Sequence, residues 1–136
     1  MTNTATETRS VVVERELPHP PDKIWRALTQ PHLIAEWLMQ TDFQPVMDHR
    51  FNLRGDWGSV DCQVMALEPN RTLAYSWAAM GLESVVTWTL TPTSTGTHLR
   101  MEQSGFRPDQ QQAYQGAKFG WQKFFGNLEQ VLARID

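Results

Sequence analysis

Asp109 to Ile135 reads DQQQAYQGAKFGWQKFFGNLEQVLARI, and its apolar residues recur at intervals of three and four. Tyr114, Ala117, Trp121, Phe124, Leu128, Val131 or Leu132, and Ile135 share one stripe, while Gln110, Lys118, Gln122, Lys123, Gln130 and Arg134 fall elsewhere. A 3.6-residue period of this kind predicts one long amphipathic helix that needs an apolar surface to lie on. At a rise of ~1.5 Å per residue the helix outspans a typical strand, so it must lie across or along a whole sheet.

The sheet is supplied upstream. Ser10–Leu17 (SVVVEREL) is β-rich, and Pro18, Pro20 and Pro21 end it and prepare a helix start. Ile24, Trp25 and Leu28 follow with helical spacing, Pro31 interrupts, and Leu33, Ile34, Trp37 and Leu38 resume, which predicts two short helices meeting at a proline. From Phe43 to Phe106 the chain reads as strands separated by turn chemistry at Gly55-Asp56-Trp57-Gly58, Glu68-Pro69-Asn70-Arg71, Met80-Gly81 and Thr91–Gly96. Alternation places Leu73, Tyr75 and Trp77, then Val86, Trp88 and Leu90, then Leu99, Met101 and Gln103 on the buried face. Thr87, Thr89, His98, Arg100 and Glu102 take the wet face. The expected class is α+β: a curved antiparallel sheet of about six strands, two short helices after the first strand, and a long C-terminal helix across the sheet with a cavity between.

Composition narrows the function. The 136 residues are 40% hydrophobic and 20% charged with a net charge of −3, and the twelve Lys and Arg form no run or stripe, so nucleic acid is not an expected partner. No stretch approaches the ~18 apolar residues of a membrane span, and Met1–Ser10 lacks the apolar core of a secretory signal, so a cytoplasmic location is expected. Cys62 is the only cysteine and reads as a buried apolar filler. His19, His32, His49 and His98 form no metal-ligating pair, and neither a nucleophile elbow nor a phosphate or dinucleotide loop is present. No metal and no cofactor are expected.

Four segments carry a resemblance. Pro20-Pro21-Asp22-Lys23-Ile24-Trp25-Arg26-Ala27-Leu28-Thr29-Gln30-Pro31 with Leu33 and Trp37, and later Gly58 with Glu68-Pro69-Asn70-Arg71-Thr72-Leu73-Ala74-Tyr75-Ser76-Trp77, resemble bacterial proteins similar to the C-terminal domain of the heat-shock-protein-90 ATPase activator, within the START-like (SRPBCC) superfamily. Thr97–Phe106 and Gly120-Trp121 before Leu128 resemble that family's closing strand and helix. The resemblance implies a helix-grip fold with a cavity used across the superfamily for lipids, sterols, polyketides and other hydrophobic molecules. It implies no particular substrate. Residues 1–9 are expected to be a flexible tail and residues 10–136 a single START-like domain.

Six tryptophans can each bury ~200 Å² and offer an indole N–H. Trp77, Trp88 and Trp121 face inward, where they fill the core, line a cavity, or do both. Trp25 and Trp37 read as core or cavity-mouth residues, and Trp57 as a rim aromatic. Gly116 and Gly120 each weaken the long helix by ~1 kcal/mol relative to Ala, which points to close packing on the sheet or a kink over the cavity mouth. Arg15 and Gln103 have inward parity and are candidate polar anchors. The expected ligand-facing set is Trp37, Tyr75, Trp77, Trp88, Met101, Gln103, Ala117, Trp121 and Arg15, with no catalytic residue assigned.

Aromatic walls without a catalytic constellation favour binding or carrying a small hydrophobic molecule over enzyme activity. The alternative is a cyclase or hydrolase, in which Asp61, Glu83, Arg15 or Tyr75 would act in the same cavity. The third reading is a chaperone-linked or regulatory interaction module. A homodimer and a chaperone or other protein partner stay open.

Overall fold

The computed structural model describes residues 8–136. The chain runs β1 (Arg9–Leu17), α1 (Pro21–Thr29), α2 (Pro31–Trp37), β2 (Gln40–Thr41), β3 (Arg50–Gly55), β4 (Gly58–Glu68), β5 (Thr72–Ala79), β6 (Leu82–Pro92), β7 (Thr97–Phe106) and α3 (Gln111–Arg134). The tail expected at 1–9 lies outside the described residues as far as residue 7, and β1 begins at Arg9.

The strands form one sheet in the order β1-β7-β6-β5-β4-β3-β2, antiparallel throughout. Six strands follow the expected pattern. The seventh, β2, has two residues and is too short to show alternation in the sequence. Since β1 and β2 are opposite edges, the chain between them must cross the sheet, and α1 and α2 make that crossing. The break between the helices is local chemistry. Pro31 cannot donate to the preceding turn, and Gln30 before it is extended at φ −92° and ψ 121°, so Gln30 ends α1 and starts α2.

Face assignments follow the pleat. Leu73, Tyr75, Trp77, Val86, Trp88, Leu90, Leu99, Met101 and Gln103 are all buried, and their neighbours Thr87, Thr89, His98, Arg100 and Glu102 are half-exposed. On α3 the stripe differs by one position. Trp121, Phe125, Leu128 and Leu132 form the buried row, with Phe125 fully buried, while Phe124 lies half-buried on its flank. The spacings 4, 3 and 4 of that row follow the helix more closely than a row through Phe124 does.

The interlayer is aromatic. Trp88 of β6 meets Trp37 of α2 at 5.6 Å and Trp121 and Phe125 of α3 at 5.7 and 5.6 Å between ring centroids. Each indole N–H is satisfied: Trp37 donates to the Ala27 carbonyl (2.8 Å), Trp88 to the Tyr75 hydroxyl (3.0 Å) and Trp121 to Gln103 Oε1 (2.7 Å). Cys62 is buried, and burial, with the charges of Asp61 and Asp42, pushes its thiol up to about 12, which suits an inert filler. Gly105 occupies an irregularity where β1 shifts register against β7. Its φ of +113° and a would-be Cβ 2.8 Å from the Glu83 carbonyl reserve the position for glycine.

On the outer face His98 Nε2 lies 2.8 Å from Glu14 and Nδ1 lies 2.6 Å from Glu16, both on β1. These hydrogen bonds, that from Glu14 foremost, raise the imidazole above its ordinary 6.5. A raised folded-state pKa means the contribution is fully present below the unfolded value and is lost as pH rises through the folded one. His98→Ala is therefore expected to destabilise more at about pH 5.5 than at about pH 9, with the ring titrating above 6.5 in NMR of the wild type. For the interlayer, Trp88→Ala is expected to cost ~3–5 kcal/mol in denaturant unfolding.

Candidate functional site

Toward the N-terminus of α3 the aromatic packing narrows to one flank, where Tyr114 meets Phe106 of β7 at 5.6 Å. There α3 presents Ala113, Gly116, Ala117 and Gly120, spaced as one helical face. Side chains this short cannot span to the sheet, and a groove of about 880 Å³ opens between helix and strands. The value falls within the ~300–1,000 Å³ of small-molecule sites.

Trp77 and Ala79 of β5, Leu82 of β6 and Gln103 of β7 form the floor, and Trp121 and Phe124 close the deep end. Met39, Trp57, Met80 and the Asp109–Gln112 segment make the rim. The floor is rigidly tied. Ser84 Oγ donates to the Trp77 carbonyl (2.9 Å), Gln103 Nε2 donates to Ser84 Oγ (3.0 Å), and Gln103 Oε1 accepts from Trp121 (2.7 Å). Gln103 and Ser84 are buried, and each buried polar atom among the described residues has a partner.

The rim sets exposed apolar side chains beside the polar Asp109–Gln112 segment. Met80 is 85% exposed and Trp57 53%. Met80 also holds a positive φ of 51° in the tight turn before Gly81, at 83°. Such turns prefer Asn or Asp ahead of Gly, so an exposed Met there departs from local rules where the groove opens.

Of the nine residues expected to face a ligand, Trp77, Gln103, Ala117 and Trp121 line the groove. Trp37, Tyr75, Trp88 and Met101 lie in the sealed part of the interlayer. Burial drives the Tyr75 phenol above its ordinary 10, so it stays a neutral hydrogen-bond partner for Trp88. Arg15 sits on edge strand β1, where it donates to Gln122 Oε1 (2.6 Å) and lies 5.5 Å from the Phe125 ring centroid, away from the groove.

The carboxylates considered for catalysis are also elsewhere. Asp61 is exposed and accepts from Asn52 Nδ2 (3.0 Å), and Glu83 is exposed beside Gly105. No group of three metal-ligating side chains occurs among the described residues. Outside the four expected residues that line the groove, Met39 and Met80 at the rim, Leu82 in the floor and Phe124 at the deep end come together from a loop, a turn, a strand and a helix flank, and no local sequence pattern joins them. A Cβ added at Gly116 or Gly120 meets nothing within 4 Å, so neither tight packing nor a close approach explains these glycines; they border open space.

The family described as Activator of Hsp90 ATPase homolog 1-like protein matches residues 18–133. Protein MLL2253 from Mesorhizobium loti superposes with a TM-score of 0.91 at 64% identity over 94% of this chain and 99% of that one. DynU16, from the dynemicin biosynthetic locus, gives 0.83 at 29% over 92% of this chain and 47% of its own, so this chain spans about half of DynU16. CalU16 from Micromonospora echinospora gives 0.82 at 25% over 98% and 82%. No curated protein matches.

Gly116→Ala and Gly120→Ala each remove a helix-interior glycine without meeting a neighbour. Each variant is expected to raise unfolding free energy by up to ~1 kcal/mol, measured by denaturant titration.

Proposed function

The chain belongs to the Activator of Hsp90 ATPase homolog 1-like protein family, and on that premise we propose that it binds and carries a small hydrophobic molecule in the groove between the sheet and α3. The observation that carries this reading is the small-residue face of α3 bordering open space above an apolar floor. Gly116 and Gly120 weaken the helix with no packing return, and an apolar rim around Trp57 and Met80 stays in water. Both costs are explained if a ligand covers those surfaces. The floor supports the same reading, because the Trp121–Gln103–Ser84 hydrogen bonds hold the aromatic walls in place before anything binds.

Catalysis finds less support. Asp61 and Glu83 do not line the groove, and Tyr75 is sealed beneath Trp88. The rim carboxylate Asp109 is exposed and tied to Arg107 Nε at 3.2 Å. The occurrence of DynU16 in a biosynthetic locus is in keeping with a family that handles small organic molecules.

Native mass spectrometry of protein purified from its own host, followed by organic extraction, tests the proposal. A hydrophobic compound at near-unit stoichiometry is expected, and it should be absent from Gly116→Phe and Gly120→Phe, whose new rings fill the groove while the fold stays intact by circular dichroism. A compound retained equally by both variants would place binding elsewhere. A clean apo mass, together with no uptake of added Nile red, would remove the carrier reading.

A further inference from the structure

We infer that the groove selects an uncharged or singly cationic planar aromatic molecule and rejects carboxylates and anionic lipids. The inference rests on the carrier reading and specifies the class of ligand. Its ground is the charge inventory of the walls. No Lys, Arg or His lines the groove, and its only ionised side chain is Asp109 at the mouth.

Two cations that flank the start of α3 are already engaged. Arg107 is held by the Asp109 carboxylate at 3.2 Å, and Arg9 hydrogen-bonds Gln111 and lies 4.2 Å over the Tyr114 ring. The first turn of α3 opens onto the same rim, and its free amides amount to roughly half a positive charge. Asp109, two residues ahead of that turn, sets a full negative charge against it. A carboxylate entering the groove would lose water against apolar walls and find no cation in exchange.

The walls that remain favour rings. Trp57 and Phe124 present accessible π surface, backed by Trp77 and Trp121, which are 8% and 2% exposed, with Trp77 and Trp121 tilted at 53° and Trp121 and Phe124 near-perpendicular at 73°. A further flat ring can add to the accessible faces and edges of this cluster, and aromatic faces attract cations. Met39 and Met80 add polarizable sulfur at the opening. Neutral amides at Gln111 and Gln112, both exposed on the first turn, can accept from or donate to a hydroxyl, carbonyl or amine substituent.

The test uses the full chain and probes of one ring system, read by equilibrium fluorescence: 2-aminoanthracene, uncharged at neutral pH, and anthracene-2-carboxylate, with oleate as competitor. The carboxylate is expected to bind about tenfold or more weakly than the amine, and oleate should leave the amine bound. Gln112→Lys sets a cation at the exposed rim and is expected to shift the ratio of carboxylate to amine affinity about fivefold or more toward the carboxylate. Carboxylate binding within about twofold of the amine, or displacement by oleate, would overturn the inference and leave the carrier reading standing. Discrimination that Gln112→Lys does not alter would overturn its electrostatic origin. Binding of neither anthracene would overturn the carrier reading and this inference with it.

Discussion

Trp88 is fully buried, and three elements converge on its indole. Trp37 approaches from α2 edge-on, Trp121 and Phe125 approach from α3, and the Tyr75 hydroxyl on β5 takes its N–H. A tryptophan in the middle of a sheet buries a large apolar surface only if both helical layers cover it. That requirement puts the α1–α2 crossing and the long α3 on the same face of the sheet. It also concentrates the bulky side chains at one end of the interlayer, where Leu128, Val131 and Leu132 continue the seal. The groove is the other end of the same interlayer, left open because α3 carries alanine and glycine there.

The polar chain beneath the groove links packing to function. Gln103 lies on the buried face of β7, where an amide without partners would cost ~1–3 kcal/mol, yet both ends of its amide are used, by Trp121 and by Ser84. Ser84 belongs to the same stretch of β6 that lies against Gly105 at the register irregularity between β1 and β7. Rotating Gln103 away would strand two buried donors. The walls are therefore held in one geometry whether or not the groove is occupied.

Stability and openness are in tension along α3. An alanine or larger at Gly116 or Gly120 would favour the helix but take volume from the groove. The rim repeats the conflict: Met80 at positive φ and Trp57 in a Gly-flanked turn expose apolar surface that a purely structural protein would replace with polar turn residues. The opposite face, where Val12 and Met65 are also exposed, is organised by charge. There His98 bridges Glu14 and Glu16, and Arg100 pairs with Glu102 at 2.9 Å, as wet antiparallel strands do.

The sequence by itself determined the elements and their faces, because both are written at short range. Period-two alternation put Trp77, Trp88 and Gln103 inward, the 3.6 period announced α3, and Pro31 broke the crossing helix at the position where its ring forbids a continuous turn. Inward-facing residues, however, look alike in one dimension whether they end in a packed core or at a cavity wall. Trp77 and Trp88 both take the inward face of their strands and share one chemistry, yet Trp88 is sealed and Trp77 forms a wall. Only the tertiary structure separates them, because the difference depends on which stretch of α3 lies opposite. The same holds for Phe124 and Phe125, adjacent in sequence and divided by about 100° of helical turn. The rim assembled from Met39, Trp57, Met80 and the start of α3 has no sequence signature, since its members are brought together only when the sheet closes under the helix.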